Sequence, residues 1–512
     1  MAVIRLFWAD ALVKDLNGPQ RVSTGISPSG PIHVGNMREI LTGDILFKAI
    51  SKKGLEADFI YLCDDMDPLR KVYPFLSEDY KKYVGQPLKN IPAPEGTGKY
   101  SDYYLDPFVR VMKEANIPAR VIKTSDLYDT GILARACDIA IQNREKIREI
   151  LETVSGRQIE GDFYPYEPLC ERCGRINTTQ VVSYKYPYAE YVCKCGHHGF
   201  ADIRKAEGKM PWRVEWPAKW FALKVTIEPF GKDHGAPGGS YDTGKRIASE
   251  IFGIEPPLPL IYERIILKGK GAMHSSTGLA IAASEIMEVI PPDLLRYMIA
   301  RVNPGRHIDF DPGLGILALA DELGKLQDAY FGDRSALDED QIAIVEYSLV
   351  NKDRKPYPVD FRHLVTLVQI YRNEDELLRA VKMSSTSNFD EADFKKEIEY
   401  ARRWLDRYAP ENVKFKILPI DQRVELNDED AMLLESFVND IDGMPWESAS
   451  IHDKVYDLAQ KYKKSPDSVF SLFYRIFIGK DRGPRLGYFL YNLGRDFVKN
   501  RIENVLSQHG DA

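Results

Sequence analysis

Hydrophobic and polar positions follow two alternating patterns along the first part of this 512-residue chain. Between residues 21 and 150, short apolar runs such as RVSTGI and LEADFIYLC alternate with stretches of helical periodicity such as MREILTGDILFKAI. An apolar run, a helical stretch and a second apolar run are typical of parallel strands joined by a covering helix. The pattern predicts an α/β fold with a Rossmann-type, doubly wound parallel sheet, whose ligands bind at the carboxyl ends of the strands.

The pattern changes twice further along the chain. Residues 161–202 are rich in Tyr, Pro, Cys and Gly with short β-like runs, and the α/β pattern returns after Arg213. We therefore predict one sheet domain that is split by an insert. After Pro291 the spacing of apolar residues is helical up to the C-terminus, which predicts an all-α region. The predicted boundaries are 1–95 and 213–290 for the sheet domain, 96–212 for the insert with a small module at about 161–202, 291–355 for a connecting helical segment, and 356–512 for an α-helical domain.

Charge and hydropathy exclude two classes of protein. With 69 basic and 76 acidic residues the formal net charge is −7, which argues against general affinity for nucleic acid or anionic membranes. A polyanion must therefore meet a local basic patch. No window approaches the roughly eighteen uninterrupted apolar residues of a membrane-spanning helix, and the first residues include Asp10 and Lys14, unlike a secretory peptide. We predict a cytoplasmic protein without membrane contact.

Four of the six cysteines form two close pairs, in LCERCG and VCKCGHHG. Two such pairs in a large intracellular chain are typical of tetrahedral zinc rather than of disulfides, and four protein ligands make the site structural. Because the second pair is one residue tighter than usual, His197 or His198 can replace Cys195 as the fourth ligand. The alternative is free cysteines buried in a β-rich insert. The predicted zinc ligands are Cys170, Cys173, Cys193 and Cys195.

The segment TGISPSGPIHVGN predicts an anion-binding site. A Ser/Pro/Gly turn follows a strand and leads into a helix, whose first N–H groups and dipole favour a negative charge. His33 and Asn36 can donate hydrogen bonds to phosphate oxygens, and the small Gly35 lets a ligand approach the backbone. The alternative is an ordinary polar turn before a helix.

This segment and a serine-rich loop after IILKGKG resemble, in the same order, the HIGH and KMSKS motifs of class I aminoacyl-tRNA synthetases. The longer stretch TGISPSGPIHVGNMREILTGD, with Asn in place of the second His, is similar to archaeal-type class I lysyl-tRNA synthetases. The similarity extends over most of the chain. Further matching stretches are YLCDDMDPLRKV, EWPAKWFAL, FGKDHGAPGGSYDTG, YERIILKGKGAMHSSTG, PPDLLRYMIARVNPGRHIDFDPGLG and GKDRGPRLGYFLYNLG.

The resemblance implies a ligase that activates L-lysine with ATP and Mg²⁺ to lysyl-adenylate and transfers it to the 3′ end of tRNA(Lys). It also implies that the insert contacts the acceptor end of the tRNA, the connecting segment its stem and the C-terminal domain its anticodon; a monomer is favoured. The implied ATP-binding residues are Pro28, Ser29, Gly30, His33, Gly35, Asn36, Met273, Ser275 and Ser276.

The loop departs from KMSKS because Ala272 stands where the first lysine belongs. Lys268 and Lys270 lie just upstream, and their long side chains can reach a triphosphate. In the alternative, both lysines are solvated and the loop acts through Ser275, Ser276 and backbone N–H groups. We include both lysines and both serines among the candidate catalytic residues, beside His33 and Asn36.

Other residues are candidates for the amino-acid pocket. The resemblance implies contacts from Gly25, Ser27, Trp220, His234 and Tyr262. A lysine substrate requires aromatic faces for its stem and an anionic group for its ammonium. Two carboxylates at the carboxyl edge of the predicted sheet are candidates for that group. The alternative places the aromatic residues in the core and these acids in a solvated turn. The two acids are Asp64 and Asp65.

Two other functions remain open at this stage. A class I synthetase for glutamate requires a cation facing the substrate side chain, and a non-catalytic, zinc-stabilised RNA-binding protein is compatible with the altered loop. In the C-terminal region, SLFYRIFIGKDRGPRLGYFLY interleaves cations and rings that suit RNA, or else contributes core aromatics beside a solvated charged face.

Overall fold

The computed structural model describes residues 6–156, 158–269, 271–272, 280–385 and 388–510. The chain divides into two compact units. The first contains the residues up to Glu288, Pro292–Phe310 and Gly332–Lys352, and the second contains Val289–Pro291, Asp311–Phe331 and the residues from Asp353 onward. No helix in the described ranges is long and apolar enough to cross a membrane.

The strands of the described residues all lie in the first unit. In chain order they are β1 Gln20–Ile26, β2 Ala57–Cys63, β3 Arg120–Lys123, β4 Glu167–Pro168, β5 Thr179–Lys185, β6 Tyr188–Cys193, β7 His198–Asp202, β8 Gly208–Lys209, β9 Ile227–Gly231, β10 Leu258–Tyr262, β11 Ile265–Leu267, β12 Gly271–Ala272 and β13 Ile308–Phe310.

Helices α1 to α11 and α13 belong to the first unit, and α12 and α14 to α21 to the second. The helices up to α11 are α1 Trp8–Val13, α2 Val34–Lys52, α3 Tyr100–Glu114, α4 Thr124–Asp129, α5 Ala134–Gln142, α6 Arg144–Ser155, α7 Trp212–Leu223, α8 Lys232–Gly235, α9 Ser240–Glu250, α10 Ala283–Met287 and α11 Pro292–Ala300. The remaining helices are α12 Leu314–Phe331, α13 Glu339–Ser348, α14 Phe361–Ile370, α15 Glu374–Ser384, α16 Glu391–Arg407, α17 Asp428–Ile441, α18 Ser448–Lys461, α19 Pro466–Ile478, α20 Leu486–Leu493 and α21 Arg495–Gly510. Short 3₁₀ helices occupy Glu78–Tyr83, Leu88–Asn90 and Arg334–Ala336.

The main sheet is parallel, with strand order β10-β9-β1-β2-β3. The predicted α/β class and parallel sheet are therefore confirmed. Strands β2 and β3 are added on one side of β1, and β9 and β10 are added later on its other side. The direction in which strands are added to the sheet therefore reverses between β1 and β9. β1 and β2 pair along their whole length, whereas β1 and β9 pair only at Val22 and Ile227. The carboxyl ends of β1 and β9 thus form the crevice in which such sheets bind ligands.

Helix α2 forms because its apolar residues recur at helical spacing. Met37, Ile40 and Leu41 are fully buried. On the same helical stripe, seven residues after Met37, Asp44 pairs with Arg296 of α11 at 2.5 Å, and both side chains are buried. This ion pair ties residues beyond the predicted boundary at 290 to the sheet unit.

The insert contains a separate antiparallel sheet of β5, β6 and β7. It is closed by the short pair β4 and β8, in which Glu167 lies opposite Lys209. Strand β8 ends the insert, so Lys209 lies only a few residues before α7.

The second unit is helical throughout its described residues, as the sequence predicts. Phe473 and Phe477 of α19 are fully buried in its core, and Arg475 lies 3.3 Å from Asp430. Lys480 donates hydrogen bonds to two backbone carbonyls. These contacts favour the interpretation of those aromatic residues as core.

Candidate active site

A cavity of about 540 Å³ opens at the carboxyl ends of β1, β2, β9 and β10. It brings together many of the predicted residues with several that the sequence analysis did not select. The predicted residues that line it are Gly25, Ser27, His33, Gly35, Asn36, Asp64, His234 and Tyr262. The other lining residues are Ile26, Glu39, Asp67, Arg70, Trp212, Gly231, Asp233, Arg264 and Ile265.

The start of helix α2 forms one wall of this cavity. His33 is the N-cap residue in an extended conformation, and the Asn36 side-chain oxygen accepts a 3.1 Å hydrogen bond from the His33 backbone N–H. The Val34 N–H donates to the carbonyl of Ile281 at 2.9 Å, and His33 pairs with Ala282 in a short β-bridge. The chain that follows the serine-rich loop therefore packs directly against this helix start.

The turn before α2 supports the helix start from behind. Ser29 accepts a hydrogen bond through its carbonyl from the Tyr100 hydroxyl at 2.7 Å. A Cβ atom at Gly30 would lie 2.6 Å from the ring of Phe75, so a side chain there would displace that ring. Pro28, Ser29 and Gly30 are not among the residues that line the cavity.

At the end of β1 the backbone approaches its neighbours closely. A Cβ atom at Gly25 would lie 2.8 Å from the carbonyl oxygen of Leu62, which excludes a side chain. The Gly25 N–H donates to Glu39 at 2.8 Å, and the Ser27 hydroxyl donates to Asp67 at 2.5 Å. The strand end is therefore held by two carboxylates.

Glu39 lies at the floor of the cavity. One of its oxygens accepts from Gly25, and the other accepts from the Tyr262 hydroxyl at 2.7 Å. Burial raises the pKa of Glu39 to about 7, although both hydrogen bonds oppose that shift. Among the described residues no cation forms an ion pair with Glu39, so a cationic ligand would meet no competing cation at this carboxyl group.

A smaller cavity of about 60 Å³ adjoins the main one and shares five lining residues with it: Gly25, Glu39, Asp64, Trp212 and His234. Its aromatic lining comes from Trp212, Trp216 and Phe230. Trp212 and Trp216 stack with ring centroids 5.1 Å apart on the same face of α7.

Trp220, the tryptophan that the sequence analysis selected, lies behind this aromatic wall. It is 1% exposed, and its ring centroid is 4.9 Å from that of Trp216. Both indole N–H groups donate to Glu228, the Trp216 bond being 3.0 Å long. Burial raises the pKa of Glu228 to about 8, against the effect of these two donors.

The two predicted aspartates have different environments. Asp64 lines both cavities and accepts hydrogen bonds from Lys219 and from Thr124, the latter at 2.7 Å. Asp65 is buried outside both cavities and accepts from the backbone and hydroxyl of Ser125 at 2.9 and 2.6 Å. Burial raises the pKa of Asp65.

Positive groups lie around the mouth of the cavity. Arg264 pairs with Asp233 at 2.5 Å, and Arg70 is exposed. His234 packs against Trp212, and burial lowers its pKa. Lys268, which follows β11, is not one of the lining residues. The predicted loop residues Lys270, Met273, Ser275 and Ser276 lie outside the described residues.

The four predicted zinc ligands converge in the insert. Their sulfur atoms all lie within 4.8 Å of one another, and the Cys170–Cys195 and Cys173–Cys193 sulfur pairs are each 3.6 Å apart. A tetrahedral centre with Zn–S bonds of about 2.3 Å needs sulfur separations of about 3.8 Å, so the cluster fits zinc. His198 instead points to Glu190 at 2.9 Å.

Of the lining residues that sequence reasoning missed, two had a detectable signal. Glu39 lies three residues after Asn36 on α2, and Trp212 lies four residues before Trp216, so helical spacing alone places each pair on one face. Arg70 had no such signal, because only the folded loop after β2 brings it to the cavity.

Comparison with known proteins now adds to this geometry. Residues 6–351 match the family described as tRNA synthetases class I (K). A protein named lysine--tRNA ligase from Thermoplasma acidophilum is 83% identical, with 99% of this chain and 100% of that protein covered. Proteins of the same name from Thermoplasma volcanium and Picrophilus torridus are 67% and 56% identical; each comparison covers 98% of this chain, and 99% and 100% of the respective relative.

The parallel sheet, the helix start at its switch point and the family match define a class I aminoacyl-tRNA synthetase. The chain belongs to the lysine family of that class, the class I lysyl-tRNA synthetases. The resemblance described from sequence is thereby confirmed, and the glutamate alternative is not favoured.

Proposed function

We propose that this chain activates L-lysine with ATP to lysyl-adenylate and transfers the lysyl group to the 3′ end of tRNA(Lys). The observation that carries the proposal is the pairing of a half-buried carboxyl group, Glu39, with a helix start suited to phosphate in one cavity. The first matches a cationic amino-acid side chain, and the second matches ATP.

At the amino-acid end, the lysine stem lies against Trp212 and Tyr262, and its ammonium faces Glu39. Glu39 suits this role because it lines both cavities, whereas Glu228 lines only the smaller one. Gly25 and Ser27 at the end of β1 contact the α-amino and carboxylate groups. A glutamate substrate would bring a second carboxylate to Glu39 and is therefore disfavoured.

At the ATP end, His33 and Asn36 donate to the triphosphate, and the exposed Arg70 supplies a charge at the mouth of the cavity. Mg²⁺ bound with the nucleotide would supply positive charge for the pyrophosphate that leaves the α-phosphate. The lysine carboxylate attacks the α-phosphate, so catalysis consists mainly of alignment and charge stabilisation. Within the proposal the ATP-binding set also includes Pro28, Ser29, Gly30 and Gly35, and from the loop Lys268 or Lys270 together with Met273, Ser275 and Ser276.

The insert holds a structural zinc through Cys170, Cys173, Cys193 and Cys195. Four thiolates leave no open coordination position, so the metal stabilises the module and takes no part in the reaction. We place the acceptor end of the tRNA against residues 96–212, its stem against 291–355 and its anticodon against 356–512. The proposed enzyme is cytoplasmic and monomeric.

ATP–pyrophosphate exchange with each amino acid, run with and without tRNA, tests the proposal. Exchange with lysine alone among the amino acids is the expected result. Exchange with glutamate instead of lysine would show that glutamate is the substrate. If no amino acid supports exchange in the presence of tRNA, the result would favour an RNA-binding protein without catalytic activity.

A further inference from the structure

A chain of five charged side chains runs beneath the cavity, and only part of it lines the cavity wall. We call it the buried charge network. Three carboxylates alternate with two lysines, so its formal charge is −1. Its members are Asp67, Lys209, Glu215, Lys219 and Asp64.

Lys209 is the central cation of this network. Its side chain is 2% exposed, and its Nζ lies 2.5 Å from Asp67 and 3.3 Å from Glu215. It belongs to β8, the strand that closes the insert opposite Glu167. The insert therefore contributes a cation to the underside of the catalytic cavity, although Lys209 does not line that cavity.

Both ends of the network reach the cavity. At one end, Asp67 accepts the 2.5 Å hydrogen bond from the Ser27 hydroxyl. At the other end, Glu215 pairs with Lys219 at 2.9 Å, and Lys219 pairs with Asp64. Ser27 and Asp64 lie on the cavity wall, so the position of each depends on this series of contacts.

The network is sensitive to the loss of one charge. Burial alone would raise the pKa of Asp67, but the charge and hydrogen bond of Lys209, together with the Ser27 hydrogen bond and the Lys219 charge, lower it. Burial would also raise the pKa of Glu215, but Lys209 and Lys219 together lower it. Without Lys209, two buried carboxylates would lose a partner, and a buried charge without a partner either takes up a proton or moves toward water.

We infer that Lys209 is a positioning residue for amino-acid binding: it holds Asp67, and through Asp67 the Ser27 hydroxyl, in the orientation that receives the substrate. The insert is thus coupled to the amino-acid pocket through one buried side chain. This inference rests on the proposed function, because it names a further determinant of the same site.

The test compares K209M and K209R with the wild type in lysine-dependent ATP–pyrophosphate exchange with tRNA present. K209M is expected to raise KM for lysine at least tenfold, with KM for ATP changed less than twofold, because the ATP wall is formed by α2. K209R restores a buried cation and is expected to recover part of the lysine KM. K205M is the matched control, since Lys205 is an exposed lysine of the same insert, 3.9 Å from Glu207.

D67N is a second, independent variant that tests the same inference if K209M does not fold. It retains the shape of Asp67 but removes the charge that holds both Lys209 and Ser27, and the same selective rise in lysine KM is expected. Melting temperatures and active-site titration separate loss of fold from loss of alignment. If folded, active K209M or D67N has an unchanged KM for lysine, the inference is overturned. If the wild-type enzyme shows no lysine-dependent exchange, the proposed function is overturned instead.

Discussion

The Tyr262 hydroxyl donates a 2.7 Å hydrogen bond to Glu39, which joins the last residue of β10 to the second turn of α2. The two residues are 223 positions apart in sequence. The bond fixes the carboxyl group of Glu39 at the cavity floor, where a lysine ammonium would displace no other cation. Four of the predictions below follow from the acids of this pocket or from the neighbouring helix start.

Replacing Glu39 by Gln is expected to raise KM for lysine about 100-fold, because loss of one partner from a buried charge pair costs roughly 2–5 kcal/mol. The amide keeps the shape of the side chain, so KM for ATP is expected to stay constant. Exchange kinetics at varied lysine and ATP measure both values. Y262F, which removes only the neighbouring hydroxyl, serves as the milder comparison; an E39Q enzyme with wild-type lysine KM would place the ammonium elsewhere.

Lysine binding is expected to depend on pH through Glu39. Burial raises the pKa of Glu39 to about 7, and the ammonium prefers the ionised form, so binding below pH 7 must first release a proton. KM for lysine should therefore fall as pH rises through about 7 and then level off. In E39Q this part of the pH profile should be absent. A wild-type profile that is flat between pH 6 and pH 8 contradicts the assignment.

Glu228 is expected to make stability depend on pH in the opposite sense from an ion-paired acid. Burial raises its pKa to about 8 in the folded chain, whereas an unfolded glutamate has a pKa of about 4.3. Its contribution to the free energy of unfolding is present below about pH 4 and is lost as pH rises through about 8. Thermal unfolding of wild type and E228Q measures this: the melting temperature of E228Q should fall less between pH 5 and pH 9. Parallel pH profiles of the two proteins would contradict it.

Replacing His33 by Ala is expected to reduce adenylate formation about 100-fold, as does the loss of one positioned donor to a transition state. The rate of adenylate formation in a single turnover measures the chemical step separately from binding. Lys53, an exposed residue at the far end of the same helix, provides the control variant K53A. Wild-type rates in H33A would mean that the ATP phosphates lie away from the start of α2.

Replacing Cys170 by Ser is expected to lower the zinc content of the purified protein and to destabilise the insert, since the four sulfur atoms form one cluster. Metal analysis by mass spectrometry measures the stoichiometry. C137S changes a buried cysteine outside the cluster and should retain one zinc per chain. Equal zinc content in C170S and the wild type would exclude Cys170 as a ligand.

Local patterns in the sequence determined the classes of element and several of the site residues. Alternating apolar runs and helical stretches predicted the parallel sheet, and the two cysteine pairs predicted the cluster, because each signal depends on neighbours only a few residues apart. The turn and helix start around His33 were predictable for the same reason.

Only the tertiary structure decided which residues share the cavity. Sequence alone did not distinguish Trp212 and Trp216, which line the pocket, from Trp220 behind them, because all three occupy one face of α7. It also did not show that Lys209 lies beneath Ser27, 182 residues earlier in the chain. Such contacts arise when parallel strands bring distant chain segments to one sheet edge, and local periodicity carries no information about that arrangement.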